Sequence, residues 1–199
     1  MSAKTEGESA FEAFCLKNGL LFKKIVEGVY PTPDYLLIVN GITIYVEIKQ
    51  IDRDADFTSA LMKRIPGSHV RAKINDARNQ VRAASHNEFP TILLVYNNLD
   101  PLQMFGTQQH DFISAMYGDL TVLVSRGTGL ASDVFHGWNK AFREGKNESF
   151  SAVGKLYRDH TGIGVHLYEN MYARVPLNYH LLPHCIKFNR VELRDVQDA

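Results

Sequence analysis

The apolar residues of this chain fall first at helical steps and then into strand-like runs. Between Glu8 and Leu21, Phe11, Phe14 and Cys15 recur at helix spacing, with acidic residues near the N-terminal end, where the helix dipole favours them, and Gly19 as a stop. The next run, Tyr35 to Val46, is split by Asn40-Gly41, a dipeptide that accepts the positive φ angles of a tight turn, so the pattern predicts a β-hairpin. Ile65-Pro66-Gly67-Ser68-His69 reads as a loop. Arg71 to Ala84 then reads as a helix with Ile74, Ala77, Val81 and Ala84 on one face. Phe89 to Tyr96 holds a continuous apolar run bounded by Pro90 and Asn97-Asn98, as expected of a buried central strand reached by a right-handed crossover. A helix at Asp111 to Tyr117 precedes a second such strand at Leu120 to Val124. Loops or short strands are expected from Arg126 to Ser151, glycines and aromatics mix from Tyr157 to Ala173, and Ile186 to Leu193 reads as a final strand. These elements predict an α/β fold, a mixed β-sheet flanked by α-helices.

Composition narrows the class without naming an activity. The 199 residues fit one domain, with an expected core over roughly 6–125 and a C-terminal extension over 126–199. At 45% hydrophobic and 22% charged residues the chain is neither disordered nor membrane-spanning in character, and no apolar run approaches the length of a transmembrane helix. The first eight residues lack the apolar core of a signal peptide, which makes a cytoplasmic location the expectation. Cys15 and Cys185 stand far apart and outside any Cys-x-x-Cys arrangement, which excludes a disulfide scaffold. Among the histidines, His180 and His184 have helical spacing, but Pro183 and the lack of an acidic residue between them speak against a zincin helix. There is no Gly-x-Ser-x-Gly elbow and no P-loop lysine.

Chemistry concentrates at Pro33-Asp34 and Glu47-Ile48-Lys49. Asp34 opens the first strand of the hairpin and Glu47 and Lys49 close the second, so the two ends return to one place. Glu47 and Lys49, two apart, share a face. An edge strand could display such a pair to water. Here, however, they follow Ile42, Ile44 and Val46 and precede Ile51, so they interrupt a strand that otherwise reads as buried, where a charge is costly unless paired or bound. Just downstream, from Arg53 to Arg82, seven basic residues stand against three acidic ones, although the whole chain is neutral. Such charges most often mark a solvated helix face.

Pro33-Asp34, a hydrophobic hairpin, then Glu47-Ile48-Lys49 resembles the signature of the PD-(D/E)xK nuclease superfamily, with an acidic helix before it and a polar helix after it. The resemblance covers about the first half of the chain. It implies a restriction-endonuclease-like fold and a metal-dependent nuclease, with DNA favoured over RNA as the nucleic-acid partner, in repair, recombination, restriction or defence. Asp34, Glu47 and the backbone carbonyl of Ile48 would be ligands of Mg²⁺ or Mn²⁺. Lys49 would orient or deprotonate the attacking water. The helix carboxylate would be Glu8, with Glu12 as the alternative and Glu6 a third choice before the helix. Arg71, Lys73, Arg78 and Gln80 are the candidate nucleic-acid contacts, Lys73 and Gln80 lying two helical turns apart. A homodimer is expected from small members that cut two strands. The alternative is a nuclease fold kept for nucleic-acid binding or assembly without catalysis, which loss of metal binding would mark.

Overall fold

The computed structural model describes residues 4–26, 28–52, 65–85, 88–99, 103 and 105–191. The charged residues Arg53, Asp54, Asp56, Lys63 and Arg64 therefore lie outside the described residues.

The first helix, α1 (Glu6–Lys17), is set by its cap. Thr5 Oγ1 accepts from Glu8 N at 3.1 Å, and Glu8 Oε2 accepts from Thr5 N at 2.8 Å, which satisfies two donors that a helix end leaves open. Helix α1 thus starts two residues earlier than its apolar spacing suggests, and Glu6 belongs to its first turn rather than preceding it. Replacing Thr5 by Ala is expected to cost about 1 kcal/mol, read as a lower urea midpoint at unchanged slope. Leu21, placed at the helix end by the sequence pattern, instead opens strand β1 (Leu21–Lys24).

Strands β2 (Tyr35–Val39) and β3 (Ile42–Ile51) form the expected hairpin, with Asn40 at φ 45° and Gly41 at φ 81° in its turn. The stretch expected as one helix from Arg71 to Ala84 is two: α2 (Ser68–Asp76) and α3 (Arg78–Ser85), joined at Ala77. Asn75 and Asp76 precede the break, and such side chains compete with the backbone for hydrogen bonds. The apolar face survives it, since Ile74, Ala77, Val81 and Ala84 are all buried.

Strand β4 (Thr91–Asn97) is buried at every residue, and helix α4 (Gln109–Tyr117) follows it. Strands β5 (Leu120–Thr121) and β6 (Phe135–His136) pair only with each other. The sequence pattern predicts a buried central strand over Leu120 to Val124; in the structure these residues lie outside the main sheet, and Leu120, Val122, Leu123 and Val124 are exposed. The central positions are taken instead by β7 (Ala152–Asp159) and β8 (Gly162–Glu169), and β9 (Ile186–Asn189) closes the order β1-β2-β3-β4-β7-β8-β9. Strand β3 is parallel to β4 and β4 to β7; the β1-β2, β2-β3 and β7-β8 pairs are antiparallel, and β9 is parallel to β8. Three strands from beyond residue 125 complete the same sheet.

Helix α1 packs Ala10, Phe11, Phe14 and Cys15 on one face of this mixed sheet, against Tyr35, Leu37, Ile44, Val46, Ile48 and Leu94. Val70, Ile74 and Val81 of α2 and α3, with Phe112 and Met116 of α4, cover the other face at Leu93 and Val95. Strand β4 is covered on both sides, which explains its unbroken apolar run. Helix α1 comes close to β3 and β4 at Gly7: a Cβ there would stand 3.1 Å from both Ile48 Cγ2 and Tyr96 Cβ. Gly7 N donates to Gln50 Oε1 at 2.9 Å, which ties the start of the helix to β3 beside the Glu-x-Lys sequence. Among the described residues no helix is long and apolar enough to cross a membrane.

Candidate active site

Register explains how β2 and β3 build a site at their open end. Tyr35 pairs with Val46, so continuing the antiparallel ladder by one residue sets Asp34 opposite Glu47, and by two sets Pro33 opposite Ile48. Residues directly opposite in such a pair point to the same face. Proline has no N–H to give, so the ladder cannot continue to the Ile48 carbonyl. The Ile48 N–H, freed from the same ladder, donates to Asp34 Oδ2 at 2.7 Å. In a strand the N–H and C=O of one residue point to the same side, so the Ile48 carbonyl lies toward the edge that Asp34 occupies. The Pro33-Asp34 dipeptide thus ends one strand and turns a carboxylate toward the edge of the next.

Glu47 and Lys49 stand on the face covered by α2 and α3, since Ile48 between them packs toward α1. Glu47 is only 1% exposed. Its Oε1 accepts from Lys49 Nζ at 2.8 Å, while its Oε2 is buried with no hydrogen-bond partner. Burial, and then the charge of Asp34, push the Glu47 carboxyl up to about 7; Lys49 and the Asp34 main chain only partly offset them. Asp34 is also raised, by burial first and in part by Glu8, against the Ile48 N–H and Lys49. Two carboxylates beside one lysine form a pocket with more acceptors than cationic donors.

The helix carboxylates sit differently. Glu8 approaches from the α1 side of the sheet and is held by Lys24 Nζ at 2.6 Å and by its role in the Thr5 cap. Its carboxyl is held down by the Lys24 and Thr5 hydrogen bonds, although burial opposes them. Glu12, one turn on, accepts from Tyr35 Oη at 2.7 Å and pairs with Lys4. The structure therefore brings Asp34, Glu47, Lys49 and the Ile48 main chain together, sets Glu8 near Asp34 on the far side, and engages Glu12 elsewhere. Among the described residues, no three His, Cys, Asp or Glu side chains are placed to share one ion. A metal here would take its oxygens from Asp34, Glu47, the Ile48 carbonyl and water. That set suits a hard divalent cation, and the unpartnered Glu47 Oε2 is a vacant acceptor for it.

Of the candidate nucleic-acid contacts, Arg71 is spent within the fold: its guanidinium donates to Ser114 O at 3.0 Å and Asp119 Oδ1 at 2.9 Å, tying α2 to α4. Lys73 is near Asp76 at 3.6 Å. Arg78 opens α3, part-exposed. Gln80 lies on the same α3 face as Ala77, Val81 and Ala84, and its Oε1 is buried without a partner. Lys24 and Gln50 are the contacts that the sequence pattern misses: Lys24 lies two residues after Phe22 and shares its face, and Gln50, one residue past Lys49, faces α1.

No protein-family model, no curated protein and no solved structure matches this chain.

Proposed function

We propose that this chain is a divalent-metal-dependent nuclease of the PD-(D/E)xK type, built on a restriction-endonuclease-like form of its α/β fold and acting on DNA. The observation that carries the reading is the Asp34–Glu47 pair at the open end of the β2-β3 hairpin, with a buried Glu47 oxygen that no donor satisfies. Two carboxylates set opposite each other oppose folding unless a cation neutralises them.

Asp34, Glu47 and the Ile48 carbonyl would hold Mg²⁺ or Mn²⁺, which when bound polarises a phosphate and lowers the pKa of a coordinated water. Lys49, fixed by its contact with Glu47, would orient the attacking water and balance charge as the phosphate becomes more negative. Glu8 would reach the site through water from the α1 side. Lys73 and Arg78, on helices covering the Glu47 face, would meet the phosphate backbone, which carries affinity without sequence preference.

The test is incubation with labelled single-stranded, duplex and branched DNA, and with RNA, in Mg²⁺ or Mn²⁺. Cleavage by the wild type that EDTA stops and that Glu47→Ala and Lys49→Ala lack is the expected result. Cleavage that survives EDTA or either variant would remove the site from the chemistry. Glu8→Gln keeps an acceptor for the Thr5 N–H but loses the charge, so stability should hold within about 1 kcal/mol. The same variant should slow cleavage by about ten- to a hundredfold if Glu8 orders water at the site.

A further inference from the structure

Outside the main sheet, residues 119–138 form an arm that its own sequence marks as a surface to be covered. Beyond the β5-β6 pair, Ser132 N donates to Leu123 O at 2.8 Å, Val124 bridges Ala131, and Ser125 N donates to Leu130 O at 2.9 Å, so the strands run on to a tip at Arg126-Gly127-Thr128-Gly129. The apolar side chains of this arm face solvent: Leu130 is 72% exposed and Trp138 74%, with Leu120, Val122, Leu123 and Val124 also exposed. A run with the composition of a core strand is thereby left in water on a two-stranded ribbon, which has little stability alone.

We infer that the arm is a dimer contact and that its occupant is the same arm of a second copy of this chain. Leu120, Val122 and Val124 alternate onto one face of the ribbon, which gives a second arm a continuous apolar strip to lie along. Charge favours self-association as well. The only formally charged residues from Leu120 to Trp138 are Arg126 at the tip and Asp133 nearer the base. An isologous contact places each surface against its own copy, so a patch of one sign would repel itself, whereas this one does not. The pair also fixes the orientation. A two-fold axis along the arms sets Arg126 against Arg126, whereas an axis across them sets each Arg126 against the partner's acidic base. The arms therefore pack antiparallel.

Sedimentation velocity on the full chain, from low to high micromolar concentration, tests this. The wild type should be a dimer. Val124→Asp combined with Leu130→Asp should be a monomer with unchanged far-ultraviolet circular dichroism, since neither side chain supports the core. Arg126→Asp should raise the dimer Kd by about tenfold or more, because symmetry doubles each repulsive contact, and adding Asp133→Arg should restore it. A wild type that stays monomeric at every concentration, or a dimer that the double Asp variant leaves intact, overturns the proposal; failure of the second reversal to restore the dimer overturns the antiparallel pairing. None of these readouts depends on DNA cleavage.

Discussion

Glu47→Gln should cut DNA about a thousandfold more slowly than the wild type while folding at least as well, an outcome that separates a ligand from a structural residue. The size follows from several kcal/mol of transition-state stabilisation depending on the ion that Glu47 would hold, each 1.36 kcal/mol being tenfold in rate. The stability expectation comes from the same atoms. Glu47 is buried beside Asp34 with one oxygen unsatisfied, so removing its charge relieves repulsion and desolvation, and Lys49 loses an ionic partner but keeps the amide oxygen and access to water. Urea unfolding of the metal-free variant should show a midpoint equal to or above that of the wild type. A midpoint well below it, with activity lost in step, would make Glu47 a structural residue and undo the catalytic reading.

Without divalent cations, the wild type should lose stability as pH rises from about 5 to 7.5, the reverse of the trend for a protein held by salt-bridged carboxylates. Glu47 has a folded value near 7 against an ordinary 4.5. Between the two, the folded protein keeps a proton that the unfolded chain has released, so each step up in pH favours unfolding, and the full penalty stands above 7. For Glu47 alone this is at most roughly 3 kcal/mol. Asp34, also raised, adds in the same direction. Glu8 and Glu12 are held down and act oppositely, giving up stability only as pH falls below the ordinary carboxylate range. Urea midpoints measured on either side of neutrality check the slope. It should flatten in Glu47→Gln, and Mg²⁺ or Mn²⁺ should restore the wild-type midpoint at the higher pH. Equal midpoints without metal would show that the pair carries no such strain.

The sequence made the hairpin and its charged ends legible because two local rules agree there. Asn40-Gly41 fixes the turn, and apolar alternation fixes the register that returns Glu47 to Asp34. Strand β4 was equally readable, since burial on both faces leaves an unbroken apolar run. What failed were features decided by distant partners. Leu120 to Val124 has the composition of a core strand, yet no periodicity tells which sheet will accept it. The strands β7 and β8 carry Gly154, Gly162 and Gly164, which weaken any strand signal, and only the pairing of β7 with β4 and of β8 with β7 reveals them as interior strands. The resemblance puts Glu8 at the site as the helix carboxylate; its part in the Thr5 cap is local, but its contact with Lys24 depends on a strand that the pattern does not show.

The position of β4 between β3 and β7 has a consequence for synthesis of the chain. The hairpin, the helices of its return path and β4 have all left the ribosome before the first residue of β7 exists, so one long apolar strand waits with its outer edge unpaired. A fragment ending near residue 125 would keep every residue of the Asp34–Glu47 site and still present that edge to its neighbours, and it should aggregate rather than report on the chemistry.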